Sequence, residues 1–159
     1  MSRQSRIMAL ELRPAVPDDA AACVALRGLT RENAVPAERL AAMGITPESW
    51  AEGIRAGQLP GHVCLAPDGT LAGYGFGDAR TGEVVVLALL PAFEGQGIGQ
   101  ALLARVVQDL RAAGHTRLFL GCARDPATRS HGFYRHLGWQ PTGQIDANDD
   151  EILELPAGG

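Results

Sequence analysis

Glu83-Val84-Val85-Val86-Leu87-Ala88-Leu89-Leu90-Pro91-Ala92-Phe93-Glu94-Gly95-Gln96-Gly97-Ile98-Gly99-Gln100-Ala101-Leu102-Leu103 carries more information than any other stretch of the chain. Its first half is a continuous β-branched and leucine run, the pattern of a buried strand. The apolar part, residues 84–90, has seven residues and is far too short to span a bilayer. Pro91 ends the strand, glycines follow at positions 95, 97 and 99, and a helical apolar period then runs through Ile98, Ala101, Leu102, Val106 and Leu110. Closely spaced glycines let the backbone approach a ligand and expose successive N–H groups, while a helix N-terminus adds positive potential. Strand, glycine turn and helix in this order make an anion site sized for a pyrophosphate. Two familiar alternatives fail on spacing and composition. The dinucleotide fingerprint needs a third Gly or Ala where Gln100 or Leu102 stands, and a P-loop needs a lysine, whereas all fourteen basic residues here are arginine.

Working outward, residues 7–13 alternate apolar and polar positions and read as a first strand. Pro17-Asp18-Asp19 opens a helix with an apolar stripe at Ala21, Val24, Ala25 and Leu29. Residues 30–59 hold two short helices, the second starting at Thr46-Pro47-Glu48-Ser49. Strands 62–66 and 70–78 flank the turn Pro67-Asp68-Gly69, and Thr81-Gly82 leads into the quoted run, giving an antiparallel meander of three strands. A helix over 97–113 stops at Gly114, a strand covers 117–122, and a helix over 126–137 ends at Gly138. Strands 139–145 and 151–155 close the chain. Without a repeat or a linker, residues 1–159 read as one α/β domain.

A length of 159 residues with 46 % hydrophobic and 20 % charged residues suits a globular domain with its own core. A net charge of −4 with no basic run disfavours nucleic acid as a partner. Cys23, Cys64 and Cys122 are odd in number and widely spaced, so core packing is expected of them. Neither they nor the four histidines form a metal motif, and no metal is expected. The basic N-terminus lacks the apolar core of a signal peptide, and no membrane segment is found, so the cytoplasm is the expected compartment.

The stretch from Val86 to Leu103 resembles the acetyl-CoA motif Q/R-x-x-G-x-G/A of the GCN5-related N-acetyltransferase (GNAT) family. Gly132-Phe133-Tyr134-Arg135-His136-Leu137-Gly138-Trp139 resembles the same family's second signature, about thirty residues further on with a strand between. The resemblance covers nearly the whole chain. It implies the GNAT fold: a mixed, mostly antiparallel sheet of six or seven strands flanked by about four helices. It also implies acetyl transfer from acetyl-CoA to the amine of a small molecule or peptide. A non-catalytic acyl-CoA-binding module is the alternative. Pairing of relatives through C-terminal strands makes a homodimer the analogous expectation.

From the resemblance, Leu87, Ala88 and Leu89 would pair with the pantetheine arm as an added strand, with the N–H of Leu89 or Leu90 polarising the thioester carbonyl. The backbone of Gly95, Gln96, Gly97, Ile98, Gly99 and Gln100 would hold the diphosphate. Arg129 would contact the cofactor. Glu94 stands where the motif has Gln or Arg, and a carboxylate beside two phosphates is expected to face solvent. Tyr134 occupies the position of the acid that protonates the departing thiolate. Glu83 occupies the position of a general base, with Glu32 or a water relay as alternatives; a base is needed because a protonated amine, pKa about 10, has no lone pair. Glu32 and Asn33 fall in the segment where the family builds its acceptor site. No motif identifies the acceptor.

Overall fold

In the computed structural model, which describes residues 10–157, β1 (Glu11–Pro14) is followed by a one-turn 3-10 helix at Pro17–Asp19 and α1 (Ala20–Arg27). Then come α2 (Ala37–Ala42), α3 (Pro47–Arg55), β2 (Gly61–Leu65), β3 (Leu71–Asp78) and β4 (Glu83–Leu89). A second 3-10 turn (Pro91–Phe93) leads to α4 (Ile98–Ala112), β5 (Leu118–Cys122), α5 (Arg129–His136), β6 (Gln140–Ile145) and β7 (Glu151–Leu155). The strands form one seven-stranded sheet, β1-β2-β3-β4-β5-β7-β6. β4 and β5 are parallel and every other neighbouring pair is antiparallel. The expected sheet and three-strand meander are present, with five α-helices rather than about four. Part of the first expected strand, residues 7–9, lies outside the described residues.

α4 covers one face of the sheet. Its buried residues Ile98, Leu102, Leu103, Val106 and Leu110 recur at steps of three and four, so one stripe meets β2, β3 and β4. β3 meets that stripe with glycine: a Cβ on Gly75 would lie 3.2 Å from Val106, and one on Gly77 2.8 Å from Leu110. The missing side chains let the helix approach the sheet. The opposite face is covered by α1 and α3, where Trp50 stands edge-on to Phe76 with ring centroids 5.4 Å apart. α3 starts as expected: Thr46 Oγ1 accepts from the Ser49 N–H at 3.0 Å, and Ser49 Oγ accepts from the Thr46 N–H at 2.9 Å. All three cysteines are buried.

The inward face of α1 departs from expectation. Ala21, Ala25 and Leu29 are exposed, and the buried residues are Ala20, Cys23, Val24 and Leu26. The 3-10 turn sets the helical phase one residue earlier, and Cys23 behaves as a small hydrophobe. With Ala20, Cys23 and Val24 inward, the next step of three or four on that stripe is Arg27.

Candidate active site

The site begins where β4 loses a neighbour. Antiparallel pairing with β3 runs from Asp78↔Glu83 to Gly73↔Leu89, while pairing with β5 is confined to Glu83↔Phe119. Beyond that point a cavity of about 770 Å³ opens between residues 84–89 of β4 and residues 120–123 at the end of β5. Leu90 N–H donates to Ala72 O at 2.9 Å, toward β3. Successive N–H groups along a strand alternate between its two edges, so those of Leu89 and Leu87 face the cavity. Of the two expected carbonyl-polarising donors, Leu89 has no acceptor among the described residues, whereas Leu90 is committed to the sheet and does not line the cavity.

At the end of β4 the chain turns through Gly95 and Gly97, both at φ +79°, a region costly to any residue with a Cβ. A Cβ at either position would meet nothing within 4 Å, so the glycines serve backbone geometry and keep the space in front of it open. Among the described residues, no N–H group of residues 95–100 donates to a protein acceptor, and no side chain caps α4. Donors left over at a helix N-terminus suit an anion. Gly95, Gly97, Ile98, Gly99 and Gln100 line the cavity; Gln96, exposed between the two left-handed glycines, does not.

Glu94 does not face solvent as expected. Its side chain is 17 % exposed; Oε1 accepts a hydrogen bond from Arg31 Nε at 2.7 Å and forms an ion pair with Arg129 Nη1 at 2.9 Å. The paired cations remove the repulsion that an isolated carboxylate would exert on phosphates. Glu32 Oε1, the neighbour of Arg31, accepts the Arg129 N–H at 3.0 Å and so satisfies a donor at the start of α5. The 31–32 segment is thereby fastened to the glycine turn on one side and to α5 on the other. Asn33, at φ +60°, offers its carbonyl oxygen to Arg27 Nη1 at 2.5 Å.

Tyr134 lines the cavity and packs edge-on between Phe133 and Trp139, at centroid distances of 5.1 and 6.2 Å. Among the described residues its hydroxyl makes no hydrogen bond. Burial pushes its pKa well above the usual phenol range, with the Cys122 thiol acting in the same direction and the Arg27 charge opposing. Glu83 does not line the cavity, because it sits where β4 and β5 still pair. Burial raises its carboxyl pKa, and the charges of Asp78 and Asp146 add to the effect.

Several lining residues escaped the sequence reading. Asp150 comes from the β6–β7 turn; burial, Asp146 and Asp149 raise its pKa. Nothing in the sequence showed that this turn folds back over β5, where Asp146 Oδ2 would stand 2.8 Å from a Cβ on Gly121. Arg31 meets Glu94 across 63 positions, a separation without a local signal. Tyr74 and Arg27 were legible in principle, Tyr74 from the two-residue period of β3 with Phe76, Arg27 from a correctly phased α1. Among the described residues no three His, Cys, Asp or Glu side chains converge as a metal site, and no helix is long and apolar enough to cross a membrane.

The Acetyltransferase (GNAT) family profile matches residues 28–139. A mycothiol acetyltransferase of Beutenbergia cavernae is 41 % identical over 64 residues, 40 % of this chain, and the chain covers only 21 % of that relative's length. The PaiA N-acetyltransferase of Thermoplasma acidophilum, solved with coenzyme A, superposes with a TM-score of 0.77 at 19 % identity, over 94 % of this chain and 99 % of that one. A phosphinothricin acetyltransferase of Sinorhizobium meliloti, solved with acetyl-CoA, gives a TM-score of 0.69 at 25 % identity, over 95 % and 90 % of the two chains.

Proposed function

The chain belongs to the GNAT family of acetyltransferases, and from that premise we propose that its cavity transfers an acetyl group from acetyl-CoA to the amine of a small molecule or peptide. One observation carries the reading: the open edge of β4 runs directly into the unspent N–H groups of residues 95–100. An extended amide-bearing arm fits the first and a diphosphate fits the second. Acetyl-CoA supplies the activated acyl group; the chain's residues bind, orient and move protons.

In this reading Leu87 and Leu89 hold the arm through their backbone groups, and the Leu89 N–H polarises the acyl carbonyl. The N–H groups of Gly97, Ile98, Gly99 and Gln100 hold the phosphates, with Arg129 alongside. Tyr134, kept protonated by its surroundings, gives a proton to the departing thiolate. Glu83 takes the proton of the incoming ammonium through water, since it does not line the cavity, and its raised pKa strengthens it as a base. Glu32 and Asn33 shape the acceptor side by holding the Arg129 amide and the Arg27 side chain. The reading extends to a single domain working in the cytoplasm, without metal or nucleic acid. It also extends to a homodimer, for which the outer edge of β6 offers an unpaired strand.

The test is thiol release from acetyl-CoA against a panel of amines, amino acids and peptides, beside a thermal shift with coenzyme A. Turnover with at least one amine is the expected result. Stabilisation by coenzyme A without turnover would reduce the protein to an acyl-CoA-binding module. Neither signal would overturn the reading.

A further inference from the structure

The acceptor side of the cavity contains a cation with no carboxylate. Arg27, the last residue of α1, lines the cavity and spends one donor on the Asn33 carbonyl. Among the described residues no Asp or Glu pairs with it; Arg39, Arg105 and Arg111 also lack a carboxylate but lie away from the cavity, whereas the other two arginines of its lining, Arg31 and Arg129, are both paired with Glu94. A guanidinium has five N–H donors in a planar fork that matches an oxyanion, and leaving them unmet beside apolar walls is costly.

A second observation converges on the same place. Tyr74 is 3 % exposed, lines the cavity, and its hydroxyl forms no hydrogen bond with any described residue. The residue is buried but its hydroxyl opens to the cavity, so its donor is left for a ligand. The Arg27 charge reaches this hydroxyl, opposing the burial that raises its pKa, and reaches Tyr134 in the same way. Tyr74 sits on β3, opposite Ala88 of β4, so it stands one strand away from the open β4 edge, on the face covered by α1 and α3. Two strand spacings, roughly 10 Å of sheet, therefore separate its backbone from the proposed acyl arm. Leu40, Met43 and Ile45 supply apolar wall to the same cavity, and Trp50 adds an indole N–H without a partner among the described residues.

We infer that Arg27 and Tyr74 form an oxyanion subsite for the acceptor, so that the acceptor is a small amine that also bears a carboxylate, with an apolar body. The inference rests on the acetyl-transfer reading and names its substrate class. The guanidinium fork and the phenol hydroxyl receive the carboxylate, the apolar wall receives the side chain, and the amine is left pointing toward the β4 edge beside Tyr134. Nothing is consumed at the subsite; it orients the acceptor.

The experiment compares thiol release from acetyl-CoA with leucine, methionine and phenylalanine, with their carboxamides, and with the matching decarboxylated amines. Wild-type protein is expected to favour the amino acid over the decarboxylated amine by roughly ten- to a hundredfold in kcat/KM, the range of a charge-assisted hydrogen-bonded pair. Arg27→Gln should cut that ratio by roughly tenfold or more, through KM, and Tyr74→Phe by a smaller factor. Taking the ratio cancels any effect of Arg27 on Tyr134. Phosphonate analogues of the same amino acids form a separate arm; preference for them over carboxylates would overturn the carboxylate assignment. Equal use of amino acid and bare amine by wild type, or an unchanged ratio in Arg27→Gln, would overturn the subsite. Turnover with bare amines or peptides alone would sink this inference and leave acetyl transfer standing. Loss of coenzyme A binding and of all turnover would sink both.

Discussion

At the glycine end of the cavity, Arg31 and Arg129 share one oxygen of Glu94, and Glu32 holds the start of α5. At the tyrosine end, Arg27 meets a single backbone carbonyl and shares the cavity wall with two phenols that, among the described residues, make no hydrogen bond. The same residue type has two different uses. Where a carboxylate partners the arginines, the charges cancel and fasten segments that are far apart in sequence. Where no carboxylate partners the arginine, its donors remain for a ligand. The backbone inverts this pattern: it is satisfied under Arg27 but unspent at residues 95–100. Each end therefore offers donors to an anion, from peptide N–H groups at one and from side chains at the other.

The largest expected effect is at the tyrosine end. Tyr134→Phe removes a hydroxyl that supports no packing bond, so the fold should persist while kcat falls by about a hundredfold or more, the usual range for a lost general acid. Single-turnover thiol release across pH measures it, and an unchanged rate would withdraw the acid role. A few-fold effect is expected at the other end. Glu94→Gln frees two arginines beside the diphosphate site, so KM for acetyl-CoA should drop and become more sensitive to salt. A rise in KM would mean that Glu94 acts chiefly by positioning them.

Strand β4, the glycine turn and α4 were readable because local period and glycine spacing determine them. Tyr134 was readable from its motif. Glu94 was misjudged because its partners lie at positions 31 and 129, and opposite charges that meet through folding leave no local trace. Asp150 was missed for a similar reason, since only tertiary packing brings the β6–β7 turn over β5. Arg27 was lost to a one-residue error in the phase of α1, which a single 3-10 turn was enough to cause.

A smaller effect concerns stability. Glu83 has a raised pKa in the folded protein, so the native state holds that proton more firmly than the unfolded chain does. Its contribution is fully present below the ordinary carboxylate pKa and is lost as pH rises through the raised value. Glu83→Gln should flatten that decline in urea midpoints measured across the acid range. Identical pH slopes would remove Glu83 from the account of stability. The smallest effect is expected from Arg31→Ala. The Arg31 side chain is 57 % exposed, so losing its pair with Glu94 should change stability by less than about 1 kcal/mol in the same measurement.

In the proposed reading a cofactor arm lies along the open edge of β4 and its phosphates lie on the turn that follows. Amide hydrogen exchange with and without coenzyme A tests it directly. Protection is predicted at Leu87, Leu89 and residues 95–100, with Leu90 unchanged because its N–H already bonds Ala72. Binding of coenzyme A with no protection on β4 or in the glycine turn would contradict the account.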